Sequence, residues 1–120
     1  MMYFAMNRFK VIKETTAEFE ALWRSRESYL HELDGFVGFH LLRGPERADH
    51  VLYVSHTMWR SHADFIAWTK SEQFRKAHAT AGSSQIRPLY VGPPEFEGFS
   101  AIQEAAADGT IRHLDPEPGT

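Results

Sequence analysis

Strand-type and helix-type hydrophobic periods follow one another along this chain in the order β-α-β-β-α-β, and that order leaves few folds open. From Tyr3 to Ile12 the period is two. Tyr3, Ala5, Phe9 and Val11 make one apolar face, interrupted only by Asn7. Thr15 with Glu18 has the form of a capping box. Phe19, Leu22, Trp23, Arg26, Leu30 and Leu33 then follow at helical steps, and the Asp34-Gly35 pair ends that stripe. Residues 36–43 and 50–59 are β-rich runs joined by the turn-like GPERAD of Gly44 to Asp49, which predicts a hairpin. Ser61 with Asp64 marks a helix start, with the helix running to about Thr69. Ser71 caps an adjoining helix over residues 72–79, closed by Gly82. Residues 86–91 are strand-like, Pro93-Pro94 breaks them, and residues 96–102 extend the sheet.

The expected fold is therefore α+β: a ferredoxin-like antiparallel sheet with its helices on one face. It occupies residues 1–102. Residues 103–120 turn small, acidic and rich in Pro and Gly, and are expected to form a mobile tail. Helices on one face leave the other bare, yet apolar residues occur at both parities of the second strand: Val37, Phe39 and Leu41 against Phe36 and Leu42. A second copy is the expected cover, giving a homodimer.

Composition removes several classes of function. A chain of 120 residues is one domain. The net charge is −3 and the basic residues are scattered, so no nucleic-acid partner is expected. Absence of cysteine excludes disulfides, thiolate catalysis and iron–sulfur clusters, and fits the cytoplasm, the expected location. The N-terminal MMYFAMNRFKV has neither a basic start nor a long apolar run, so no signal peptide is expected. Nothing approaches the ~20 apolar residues of a membrane span, so no membrane partner is expected either.

Three residues stand out against this ordinary background. Asn7 puts an amide on an apolar strand face, where it either bonds local backbone or points into a cavity. Trp68 follows Phe65 by three positions on one helical face, as core or as the wall of a flat ligand's pocket. His78 follows Phe74 by four, as a surface residue near a helix C-terminus or as a ligand to a metal. On an unbroken helix Trp68 and His78 would lie about 80° and ~15 Å apart, suited to two walls of one wide cavity and more so if the chain bends at Ser71. His50, His56 and His62 recur every six residues without a zinc spacing. No Ser-His-Asp arrangement, phosphate loop or dinucleotide fingerprint is present.

Read together, MNRFKV, GFVGFHLL and WRSHADFIAWTKSEQFRKAH resemble the IsdG-type heme-degrading monooxygenases of the antibiotic biosynthesis monooxygenase superfamily. The resemblance covers roughly residues 3 to 100. It implies a dimeric α+β barrel and a catalytic set of Asn7, Trp68 and His78. His78 would be the axial ligand of the heme iron, Trp68 would press on the porphyrin, and Asn7 would hydrogen-bond the distal side. Phe65, Phe74 and Trp23 are the aromatic residues expected to bind the cofactor with them. Heme would be both cofactor and substrate. Dioxygen and an external electron donor, either a reductase or a small-molecule reductant, would open the ring and release iron. Two other readings stay open: a cofactor-independent monooxygenase of polycyclic aromatic substrates, and a heme carrier without catalysis. The segment between Gly82 and Phe96, with its three prolines, and the chain beyond Phe99 depart from the family pattern.

Overall fold

A computed structural model describes residues 2–25, 29–76 and 89–116. Its main sheet holds β1 (Tyr3–Val11), β2 (Phe36–Glu46), β3 (Val51–Trp59) and β4 (Glu95–Ser100), in the order β2-β3-β1-β4 and antiparallel throughout. Helices α1 (Thr16–Ser25) and α2 (His62–Thr69) pack on one face, and residues 72–76 are helical (α3). This is the expected ferredoxin-like arrangement.

Strand β1 sits at the centre and pairs on both sides, so its odd residues form the floor beneath the helices. Tyr3, Ala5, Phe9 and Val11 are all under a tenth exposed. That floor is divided. Phe9 and Val11 join Phe19 of α1 with Val51 and Tyr53, whereas Tyr3 and Ala5 join Phe65 of α2 with Leu30 and Trp59. Asn7 stands between these two apolar clusters.

Several expectations need correction. The first helix does not run from Thr15 to Leu33. A short 3-10 turn (Lys13–Thr15) leads into α1 (Thr16–Ser25), and a second 3-10 turn covers Leu30–Glu32. Tyr29 has a φ of 59°, in the left-handed region that a right-handed helix cannot absorb. The break delivers Leu30 to the cluster under α2, away from the one that Phe19 fills. Thr15 immediately precedes α1, and its hydroxyl donates to the carbonyls of Ile12 (2.9 Å) and Leu89 (3.3 Å). Arg26, placed on the helix stripe, lies outside the described residues.

In β2 the register shifts between Phe36 and Gly38, so Val37 is the extra residue of a bulge. Phe36, Phe39 and Leu41 consequently share the helix-side face, opposite Trp59, Thr57 and Ser55, while His40 and Leu42 face away. The strand also runs on to Glu46, and the hairpin turn is tighter than expected, closed by the Arg47 amide donating to the His50 carbonyl at 2.7 Å.

Ser61 caps α2 as expected, accepting from the Asp64 amide at 3.1 Å. Ser71 does the same for α3, accepting from the Phe74 amide at 3.1 Å while donating to the Trp68 carbonyl at 2.6 Å. The expected end of that helix and the start of the following strand fall outside the described residues. Tyr90 forms a bridge to Val11, and Leu89 is buried in the core. Beyond β4, where a mobile tail was expected, β5 (Gln103–Ala105) and β6 (Ile111–His113) pair as a separate hairpin.

Candidate active site

Asn7 owes its position to the alternation of β1, which turns residue 7 to the same side as Ala5 and Phe9. Its side-chain oxygen is buried and has no hydrogen-bond partner among the described residues. The local backbone therefore does not satisfy this end of the amide. A buried polar group left in that state costs roughly 1–3 kcal/mol, which a ligand with a matching polar group would recover.

Register decides what surrounds it. Leu41, Ser55, Asn7 and Phe96 form one cross-strand row over four strands. Phe96 is 51% exposed and stacks on Phe65 of α2, with ring centroids 5.6 Å apart at 21°. An exposed phenyl ring beside a buried, unsatisfied amide gives a surface with one polar point on an apolar wall, the pattern of a small-molecule site. Gly98 makes the neighbouring row possible: a Cβ there would come within 1.8 Å of the Tyr3 hydroxyl.

Trp68 anchors the α2 side. It packs on Trp59 at 5.5 Å and on Phe65 at 6.0 Å, and the Phe74 ring meets it edge-on at 4.8 Å. On one continuous helix residues 68 and 74 would point about 120° apart and could not touch face to edge. The break at Ser71 brings them together. Trp59 is fully buried behind them, and its indole nitrogen has no hydrogen-bond partner among the described residues. His78 lies outside the described residues.

Trp23 is not in this group. It belongs to α1, stacks parallel on Phe39 at 5.9 Å and meets Phe9 edge-on. With Glu20, Phe39, Leu41, Arg43 and Tyr53 it lines a cavity of about 460 Å³ on the other side of the Asn7 row, which it reaches through Leu41. Glu20 holds the rim together. It accepts hydrogen bonds from the Tyr53 hydroxyl and from Arg43 at 2.7 Å, which keep its carboxyl below the ordinary carboxylate range. Burial and the same carboxylate push the Tyr53 phenol up to about 12. Five of the six expected site residues are thus described. Phe65, Trp68 and Phe74 gather at α2, Asn7 lies opposite the Phe96 that stacks on Phe65, and Trp23 stands apart.

Phe96 and Trp59 were missed from the sequence. For Phe96 the missing signal was register, since nothing in FEGFS says which residue of β1 it will oppose. Trp59 had a signal, a tryptophan closing an alternating strand, but its role is set by what α2 lays over it. Among the described residues no three His, Asp or Glu side chains gather into a metal cluster. His50 pairs with Asp49 at 2.7 Å and His62 packs against Tyr3 at 4.8 Å.

The antibiotic biosynthesis monooxygenase family model matches residues 2–80. A heme-degrading monooxygenase from Shouchella clausii is 38% identical over 65 residues, 54% of this chain and 58% of the relative, so the chain spans under two thirds of that protein's length. A staphylobilin-producing heme oxygenase from Staphylococcus saprophyticus is 34% identical over 77 residues, 64% of this chain and 73% of that one. Among solved structures, the heme-degrader MhuD from Mycobacterium tuberculosis, with two hemes bound in its active site, shares the fold at a TM-score of 0.63. Its identity is 24%, over 87% of this chain and 99% of that one. SnoaB from Streptomyces nogalater, a cofactor-independent oxygenase, aligns at a TM-score of 0.60 and 29% identity, over 86% and 95% of the two chains.

Proposed function

This chain belongs to the antibiotic biosynthesis monooxygenase family, and from that membership we propose that it is a heme-degrading monooxygenase whose substrate, heme, binds beside Asn7 and Trp68. The observation that carries the reading is the buried, unsatisfied side-chain oxygen of Asn7 beside an exposed aromatic ring. A flat apolar ring with a polar centre fits that chemistry: the ring covers the exposed face of Phe96, and the centre meets the amide.

Bound heme supplies an iron at which dioxygen and electrons from an external donor meet, and its ring is the part oxidised. The chain's own residues hold and shield it. His78 would hold the heme iron, since a neutral imidazole is a common protein ligand to it. Trp68 is braced from behind by Trp59 and from the side by Phe74, so a ring pressed against it meets a wall that does not yield. The Asn7 amide would provide one oriented hydrogen bond from between two apolar clusters, where such a bond is worth more than in solvent. We also propose that the bare sheet face is covered by a second copy. Leu42 and Phe99 on that face are 46% and 39% exposed, with Phe4, Val54 and Met58 half-buried between them.

The likeness to SnoaB supports a second reading, a cofactor-independent oxygenase acting on an aromatic substrate. One titration separates the two. Hemin is added to the full chain, the spectrum is recorded, and a reductant is supplied in air. A shifted Soret band that decays as bilin absorbance grows is the expected result. A stable shifted band would mean a heme carrier, and no shift would favour the cofactor-independent reading.

A further inference from the structure

The face of the sheet turned away from the helices carries a second group of potential ligands that the proposed heme chemistry leaves unused. His40 of β2 stands directly opposite His56 of β3, and His56 stands directly opposite Met6 of β1. Two imidazoles and a thioether therefore occupy consecutive positions of one cross-strand row, where facing Cβ atoms lie about 4.5–5.5 Å apart. The two imidazole rings are already close, with centroids 5.8 Å apart at 37°. Two imidazoles that bind one ion through ring nitrogens at roughly 2.0–2.1 Å have centroids about 5–6 Å apart, so the pair can take an ion by side-chain rotation alone. Both sit on paired strands, which fixes their backbones before any ion arrives.

We propose that His40, His56 and Met6 form a binding site for a soft transition-metal cation, Cu(I) above all. The donor set selects it: imidazole suits copper, zinc and nickel, and a thioether shifts the preference toward Cu(I). The surroundings agree. Phe4 lies 5.5 Å from the His56 ring and shields one side of it. The charged groups on this face are Arg8, Lys10, Glu95 and Glu97, and they pair among themselves, Arg8 with Glu97 at 2.8 Å and Lys10 with Glu95 at 3.6 Å. All three residues belong to one chain, on the sheet face proposed above to be covered by a second copy, and their row is separate from Asn7, which faces the helices, so the site stands whether or not heme is the substrate.

The test is an anaerobic Cu(I) competition against a chromophoric chelator such as bicinchoninate, on the full chain without heme. His40→Gln, His56→Gln and Met6→Leu are compared with His62→Gln, and urea midpoints check that each variant folds. The native chain should remove about one equivalent of Cu(I) from the chelator. Either single histidine substitution should weaken retention by at least ~10-fold, with Met6→Leu weakening it less and His62→Gln leaving it unchanged. Equal retention by the native chain, His40→Gln and His56→Gln would overturn the site. Loss in His62→Gln would move it elsewhere and overturn it equally. Full retention in Met6→Leu would remove the sulfur, and with it the preference for Cu(I) over Zn(II).

Discussion

Phe96 stands directly opposite Asn7 across the β4–β1 pair, and it leaves half of its surface open beside a buried amide oxygen that no described residue satisfies. Eighty-nine positions apart in sequence, these two define the point where the proposed ring would sit.

Asn7→Ala should leave the fold intact and the melting temperature unchanged or higher. It removes an unsatisfied buried acceptor and breaks no hydrogen bond at that oxygen. Hemin should still bind, while turnover per bound heme falls at least ~10-fold, equivalent to about 1.4 kcal/mol of lost stabilisation. Normal turnover with a lowered melting temperature would return Asn7 to a structural role.

Trp68→Phe should separate binding from rate. The pocket stays aromatic, so hemin affinity, read by Soret titration, should change only a few-fold. The smaller ring loses its brace between Trp59 and Phe74, so degradation should slow by considerably more. Equal losses in affinity and rate would mean that Trp68 only packs.

His78→Ala should abolish or greatly weaken degradation, and added imidazole should partly restore the hemin spectrum. A variant with an unaltered spectrum and normal turnover would show that another histidine holds the iron.

Tyr53→Phe should act through Glu20 and pH. The phenol is shifted up to about 12 in the folded chain, above its ordinary value of 10.0. The unfolded chain therefore releases that proton first, and the stabilisation is lost as pH rises through 10 toward 12. Glu20 is shifted the opposite way, so its contribution disappears as pH falls through the carboxylate range. Urea midpoints across pH should show Tyr53→Phe less stable by about 1 kcal/mol or more near neutrality, with both limbs flatter. Parallel curves for the two proteins would refute the coupling.

Sedimentation should give a species of about twice the 13.8 kDa chain mass, and Leu42→Glu should shift it toward the single chain. A single-chain mass for the native protein at micromolar concentration would mean that the bare sheet face is left to water.

Local periodicity alone determined the order of the main elements, the Ser61 and Ser71 caps, and the placing of Asn7, Phe65 and Trp68 on strand and helix faces. Each of these depends on residues within a turn or two of one another. The hairpin of residues 103–113 escaped notice because its strands are three residues long, too short for alternation to stand out. What remained lay in long-range contacts. The left-handed Tyr29 that ends the helix stripe is required so that Leu30 reaches the cluster under α2, and a helical pattern continues through it unmarked. The bulge at Val37 that puts Phe36, Phe39 and Leu41 on one face is visible only in the pairing with β3. Trp23 had the composition of a pocket residue, yet α1 carries it to a different cavity from Trp68. Sequence sets which side of a strand a residue faces, because the backbone period does so locally. Tertiary structure sets what stands across from it, because strand register is decided by the burial of whole faces at once.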